Sequence, residues 1–395
     1  MSSKEHTTVH WNTSRLYSLD ALRAAMMLLG VVIHTAVTYM PYPSPVKTFT
    51  ARHTATGFMF VVNFIHIFRM EVFFIVAGYF GALLYHKKGA AYLLTNRFYK
   101  ILLPLIAALL ILYPIMYFAT SYSTLAIAGN KDAFDLTIEK FKSGQWLPFR
   151  LNHLWFLYDL LIFTFVMICY EIAVKFIPPL QRFVNKWIGL VLQKPVIRIL
   201  VTSLLFLLGL FFNKEYALHT NVSFWIDWRM IYTYLIFFGG GWFIYNTNSM
   251  ASFQWKPWPQ LILGTALFLL GTYLEYFRNN EPPLLWMQLI YAFCTILLTF
   301  GMIAVFLKSF DKHSKLTAYF MDAAYYVYLI HVPFAMLIPG LLTNLELPAT
   351  IEFLVTFFGT VTLSLISYHF LVRHTAVGRF LNGKLLTIPL LKKVA

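Results

Sequence analysis

The stretch 58-FMFVVNFIHIFRMEVFFIVAGYFGALLY-85 decides the fold. As a helix rising about 1.5 Å per residue it reaches roughly 42 Å, more than the roughly 30 Å hydrocarbon core of a bilayer. His66, Arg69 and Glu71 are its only ionisable groups apart from tyrosine. A helix that is apolar all round belongs in lipid or inside a bundle.

Nine further runs of this kind flank it. The ten expected spans are about 19–40, 58–85, 101–119, 151–177, 196–213, 226–246, 258–277, 285–309, 316–340 and 350–373, separated by Pro-rich or charge-rich breaks. The composition agrees: 59% of the 395 residues are hydrophobic and 12% charged, against about 25% charged in a soluble domain. An ordinary soluble protein is excluded. The aromatic content of 18% also excludes a disordered or low-complexity chain. Cys169 and Cys294 both lie in apolar runs, so neither a disulfide framework nor a cysteine metal site is expected, and no metal is assigned.

The net charge of +15 would suggest nucleic acid in a soluble protein, but its placement says otherwise. With a cytoplasmic N-terminus, the inner segments hold 18 Lys and Arg and the outer loops hold eight. That asymmetry sets orientation, so both termini are expected in the cytoplasm. The first span is too long for a signal peptide and lacks a small-residue cleavage site. No loop is large enough for a core of its own. The expectation is therefore an all-α integral membrane protein, a bundle of about ten transmembrane helices, with one domain over 19–373 between tails at 1–18 and 374–395.

Ionisable side chains inside spans are costly and usually face a cavity, which makes them the functional candidates. By helical rise, His34, His66 and His331 come out roughly 10, 12 and 14 Å below the outer ends of their spans. His153 sits at the outer mouth of the fourth. Four histidines at one level are more than packing requires. Arg69 and Glu71 add a cation and a carboxylate, with a structural ion pair as their plainer reading. Asp227 and Arg229 read as an interfacial ion pair, Glu275 as solvated, and Gly239-Gly240-Gly241 as a close-packing or kink site. Arg23 and His34 are eleven residues apart, about three turns, so one helix face joins the inner end to the histidine level about 16 Å away. Lys87, Lys88, Arg97 and Lys100 form a basic inner segment, which positive-inside flanks also produce. Gly378-x4-Gly383-Lys384 imitates a phosphate loop, but Leu385 stands where Ser or Thr is needed. Serine-hydrolase elbows and zinc-protease pairs are absent.

At these residues the sequence resembles a known family. Leu19-Asp20-Ala21-Leu22-Arg23 followed by His34 is similar to the first-span signature of bacterial multi-pass acyltransferases that modify carbohydrates. The run from Phe64 to Phe74 with Gly78-Tyr79-Phe80, His153-Leu154-Trp155-Phe156-Leu157, Leu316 to Phe320 and Tyr328-Leu329-Ile330-His331 resemble the glucans biosynthesis protein C branch. The resemblance implies an inner (cytoplasmic) membrane enzyme that takes an acyl group, succinyl in that branch, from cytoplasmic acyl-CoA to a carbohydrate hydroxyl on the periplasmic side. It implies that Arg23 and His34 are the essential pair. Two departures stand out. The family's Arg-x-x-Arg is Arg97-Phe98-Tyr99-Lys100 here, and lysine lacks the bidentate fork. Ala77 occupies the serine position of Phe-Phe-x-x-Ser-Gly, so an acyl-serine there is ruled out.

Acyl transfer from a thioester to an alcohol needs a base and a group that stabilises the oxyanion. His34 is the expected base, since an unperturbed imidazole titrates near 6.5. His331, His66 or Arg69 would polarise the carbonyl, with Glu71 orienting Arg69 or an imidazole. Arg23, Arg97 and Lys100 would hold the CoA phosphates, and His153 and Trp155 would face the acceptor. Direct transfer is expected, with acyl-CoA as co-substrate, no tightly bound cofactor, lipid and a carbohydrate as partners, and no nucleic acid. The rival reading is a transporter or exporter of a glycan or an anionic metabolite, which should show internal repeats that this sequence lacks. Succinyl and acetyl donors are indistinguishable at this level.

Overall fold

The computed structural model describes residues 13–42, 48–218, 222–277, 282–310 and 314–381. All regular structure among them is helical. The expected tails at 1–18 and 374–395 lie largely outside the described residues. In chain order the helices are α1 (Thr13–Ala36), α2 (Gly57–Arg97), α3 (Leu103–Ile127), α4 (Ala133–Lys142), α5 (Trp155–Lys175), α6 (Pro178–Gln193), α7 (Pro195–Asn213), α8 (Trp228–Asn246), α9 (Pro257–Tyr276), α10 (Leu284–Ser309), α11 (Lys315–Leu342), α12 (Ala349–Ser367) and α13 (Ala376–Leu381).

Seven helical stretches among the described residues are long and apolar enough to cross a membrane: Tyr17–Tyr39, Gly57–Ile127, Asn152–Lys175, Pro195–Asn213, Leu284–Ser309, Thr317–Leu345 and Ala349–Val372. The second, of 71 residues, is broken at Gly89 and passes on through a π-helical turn over Phe98–Leu102, and two of the ten expected spans fall within it. α8 and α9, of 19 and 20 residues, fall on the sixth and seventh. Large apolar side chains on the periphery, Leu204, Ile262, Phe211 and Phe358 among them, are exposed as a lipid-facing surface would be.

Two helices lie in segments read as loops. α4 occupies the 120–150 segment, and α6 the 178–195 segment. α6 exposes Phe183 and Trp187 and carries Arg182 and Lys186, the composition of a helix lying in an interface.

Small residues set the tightest packing. A Cβ at Gly78 would run into the Phe238 carbonyl, and one at Gly241 into the Ile75 carbonyl, so α2 and α8 touch backbone to backbone. Gly241 of the glycine triplet is thus a close-packing residue, whereas a Cβ at Gly240 meets nothing within 4 Å. In lipid, where burial of apolar surface drives little, such contact is what joins helices. α9 meets α10 similarly at Gly264, Gly271 and Gly301. α2 is the central helix, in contact with α1, α5, α8 and α10, and most of its side chains from Phe68 to Val76 are buried.

Candidate active site

Three of the four histidines meet. His34 comes from the last turn of α1, His153 from a 3-10 turn over Asn152–Leu154, and His331 from the middle of α11. Their ring centroids are 5.2 Å (His34 to His331), 5.5 Å (His153 to His331) and 6.2 Å (His34 to His153) apart. With Arg69 and Trp155 they line a cavity of about 20 Å³, room for about one water. Arg69 reaches it because α1 has no side chain at Gly30, where a Cβ would collide with the Arg69 Nη1. Gly30 is one turn before His34, so the guanidinium and that imidazole share one helix face. The Arg69 Nε, buried, has no hydrogen-bond partner.

The other two imidazoles are held by α11 backbone. His331 donates from Nδ1 to the Tyr328 and Val327 carbonyls, at 2.8 and 3.0 Å. Its Nε2 is left buried and unpaired. His153 donates from Nε2 to the Leu329 carbonyl at 3.2 Å, leaving Nδ1 unpaired. That carbonyl is available for a covalent reason: its helical partner would be the N–H four residues on, and residue 333 is proline. Tyr328 completes the strap by donating its hydroxyl to the His153 carbonyl at 2.6 Å. His34 has no hydrogen bond among the described residues, and its ring forms the third corner of a triangle with the two tethered ones.

His66 and Glu71 go elsewhere. Both line a separate cavity of about 290 Å³, at the end of the bundle where α1 finishes and α2 begins. Arg69 and Glu71 form no ion pair among the described residues, because positions two apart on a helix face different ways. The expected Asp227–Arg229 ion pair is also corrected: Asp227 caps α8 by accepting the Arg229 backbone N–H at 3.0 Å. Glu275, expected to be solvated, accepts hydroxyl hydrogen bonds from Tyr216 and Tyr291 at 2.9 and 3.0 Å.

At the opposite end, Arg23 pairs with Asp20 at 2.9 Å and lies 5.8 Å from the Phe80 ring. Arg97 joins it through a fold-back. Sixteen residues of straight helix would carry Arg97 roughly 24 Å past Gly81. Gly89, at φ 85° and ψ 170°, breaks α2 in a conformation that only glycine adopts readily, and the Arg97 Nη2 returns to 3.5 Å from where a Gly81 Cβ would stand. There the like charges of Arg23 and Arg97 repel, and the buried Arg97 Nε is unpaired. Lys100 lies exposed in the π-helical turn, whose backbone is tied down by the Tyr325 hydroxyl on the Lys100 carbonyl at 2.9 Å.

Sequence reasoning did not single out Gly30, Pro333, Tyr328 or the buried Asp159. Each had a signal: a glycine one turn before a candidate base, a proline two after another, a tyrosine one turn before it, and a carboxylate inside the fourth span. Arg198, also buried, is structural: it holds the Leu192 carbonyl and Ser252, and stacks 3.7 Å from the Phe253 ring.

No solved structure matches this chain. Among curated proteins, glucans biosynthesis protein C of Salmonella paratyphi B and of Salmonella heidelberg are each 31% identical over 155 residues, 39% of this chain. The aligned stretch spans 38% of those relatives' length. A family model described as an acyltransferase domain matches residues 16–369, from the first turn of α1 to the end of α12, and so takes in every residue of the histidine cavity. The chain is a multi-helix member of the acyltransferase domain family.

Proposed function

We propose that this chain spans the membrane ten times with both termini in the cytoplasm. It moves a succinyl or acetyl group from cytoplasmic acyl-CoA to a hydroxyl of a periplasmic or cell-envelope glycan, glucan being suggested by the relatives' name. The observation that carries the reading is the gathering of three imidazoles and one guanidinium around a cavity of water size, in a family of acyltransferases. The single-domain organisation over 19–373 belongs to the same proposal.

In the proposed reaction His34 removes the hydroxyl proton as the acceptor oxygen attacks the thioester carbonyl. Its freedom suits that task, because the base must later deliver the proton to a different atom. Arg69 stabilises the oxyanion, held in reach by the gap at Gly30. The C–S bond then breaks, His34 returns its proton to the leaving sulfur, and the products are an ester and free CoA. His331 and His153, each fixed in one tautomer, keep unprotonated nitrogens turned toward the reacting groups. Arg23 and Arg97 supply cationic charge for the CoA phosphates, with Lys100 beside them. No tightly bound cofactor takes part.

Purified protein in proteoliposomes, given labelled acetyl-CoA or succinyl-CoA and candidate glycans, tests this by mass spectrometry. Label in a glycan ester identifies donor and acceptor together. Label that stays in the donor across all glycans, with folded protein, overturns the reading.

A further inference from the structure

The larger cavity, about 290 Å³, is not used by the steps above. It lies near the lower end of the usual size for small-ligand sites, about 300 Å³ and upward. Its walls come from five helices and the segments after α1 and after α7. Asn63, His66 and Glu71 line it from α2, Tyr234 from α8, Tyr276 from the end of α9 and Tyr291 from α10.

Three features distinguish it from a packing defect. Glu71 is only 3% exposed, yet its Oε2 has no partner and the residue lines the cavity. A buried carboxylate oxygen left unpaired is costly, and a ligand hydroxyl would satisfy it. Glu275 is the reverse case, with both oxygens occupied by the hydroxyls of Tyr216 and Tyr291 and so held in place as a fixed wall. The Tyr42 and Tyr276 rings, with centroids 5.9 Å apart, add aromatic faces. Acceptor oxygens beside aromatic faces suit a ring that carries many hydroxyls.

The charge is one-sided. Among the described residues, Glu71, Glu215 and Glu275 line the cavity with no Lys or Arg beside them, and His66 is the one lining residue there able to become a cation. An anionic ligand would be repelled.

The cavity is a neighbour of the histidine cavity. At 100° per residue, the α2 side chains lining it and those lining the histidine cavity occupy faces about 90° apart, and His66 is the lining residue on α2 nearest the histidine face.

We propose that this cavity is the acceptor site and that it selects a neutral polyhydroxylated ring, a saccharide, with Glu71 hydrogen-bonding a ring hydroxyl and the acidic side chains of Glu215 and Glu275 disfavouring acidic sugars. The proposal rests on the acyltransferase reading above, since it gives that reaction its acceptor.

Binding tests it separately from turnover. Full-length protein in nanodiscs is titrated calorimetrically with a neutral glucose tetrasaccharide, with a glucuronic acid tetramer and with acetyl-CoA. The wild type is expected to bind the neutral tetrasaccharide in preference to the acidic one. Glu71→Gln should weaken the neutral sugar by about two- to tenfold, as loss of a well-placed hydrogen bond does. It should leave the acetyl-CoA dissociation constant in place. Tyr216→Phe, which keeps shape and charge, should weaken the sugar by a smaller factor and covers a folding failure of the first variant. Glu71→Gln/Glu275→Gln should improve binding of the acidic tetramer. Absence of saccharide binding by the wild type, preference for the uronate, or an unchanged sugar affinity in both Glu71→Gln and Tyr216→Phe overturns the proposal. Glu71-dependent sugar binding without acyl transfer from any donor would overturn the acyltransferase reading and leave the saccharide site standing.

Discussion

His34 is distinguished from its neighbours by what it lacks. His153 and His331 each donate one ring N–H to an α11 carbonyl, while the His34 ring packs against both with no tether among the described residues. His34→Ala is expected to lower acyl transfer by 10²–10⁴-fold, the usual cost of losing a general base, with the protein still inserted and folded. Labelled acyl-CoA turnover alongside size-exclusion chromatography checks it; near-normal turnover would move the base to another histidine. The cations at the other end call for a different measurement. Arg97→Gln/Lys100→Gln should weaken acyl-CoA binding and leave sugar binding in place. The difference from wild type should shrink with salt, since exposed charges are screened within about 10 Å at 0.1 M. Lys100→Arg should match or exceed wild type, because a guanidinium grips phosphate through two hydrogen bonds. A donor titration in which the double variant equals wild type would return these residues to a purely orienting role.

Helix breaks build the site at the scale of elements. Pro333 removes the N–H that would have closed the turn onto Leu329, and His153 takes up the freed carbonyl. Pro333→Ala should therefore regularise α11, release His153 and lower turnover by between about ten- and a hundredfold, as small misplacements near a reaction do. Thermal stability should not fall, because a helix interior prefers alanine to proline. Measuring both separates the positioning role from damage: equal losses of stability and activity would count against it. Gly89 acts the same way at the Arg23 end of the bundle, since without its positive-φ break Arg97 would sit a helix length away from Arg23. Neither break was legible as a device in the sequence. A proline or glycine in an apolar run marks a kink, and only the neighbouring helix reveals what the kink sets free or brings back.

For the whole molecule, the asymmetry of 18 inner to eight outer basic residues leads to a topology measurement. Tags at residue 2 and at the C-terminus should be protected from an impermeant outside reagent, and a tag near Lys131 should react. Termini on opposite sides would sink the ten-span proposal. Helix content and the helix positions over most of the chain were legible in advance, because lipid demands that a spanning backbone satisfy its hydrogen bonds within itself and that its side chains be apolar for about 20 residues. The rare ionisable groups within those runs stood out for the same reason. α4 and α6 were not legible, being short and amphipathic inside segments that read as loops. The sequence by itself determined that this is a helical membrane chain and singled out His34, His66, Arg69, Glu71, His153 and His331 as polar groups within or beside its apolar runs. Only the tertiary structure decided that four of these, His34, Arg69, His153 and His331, share one cavity, that His66 and Glu71 open onto another, and that Arg97 turns back to Arg23. Depth along a span follows from counting residues, but the direction a side chain faces, and what meets it there, depends on helices that are far away in the chain and pack through glycine and proline at the contact.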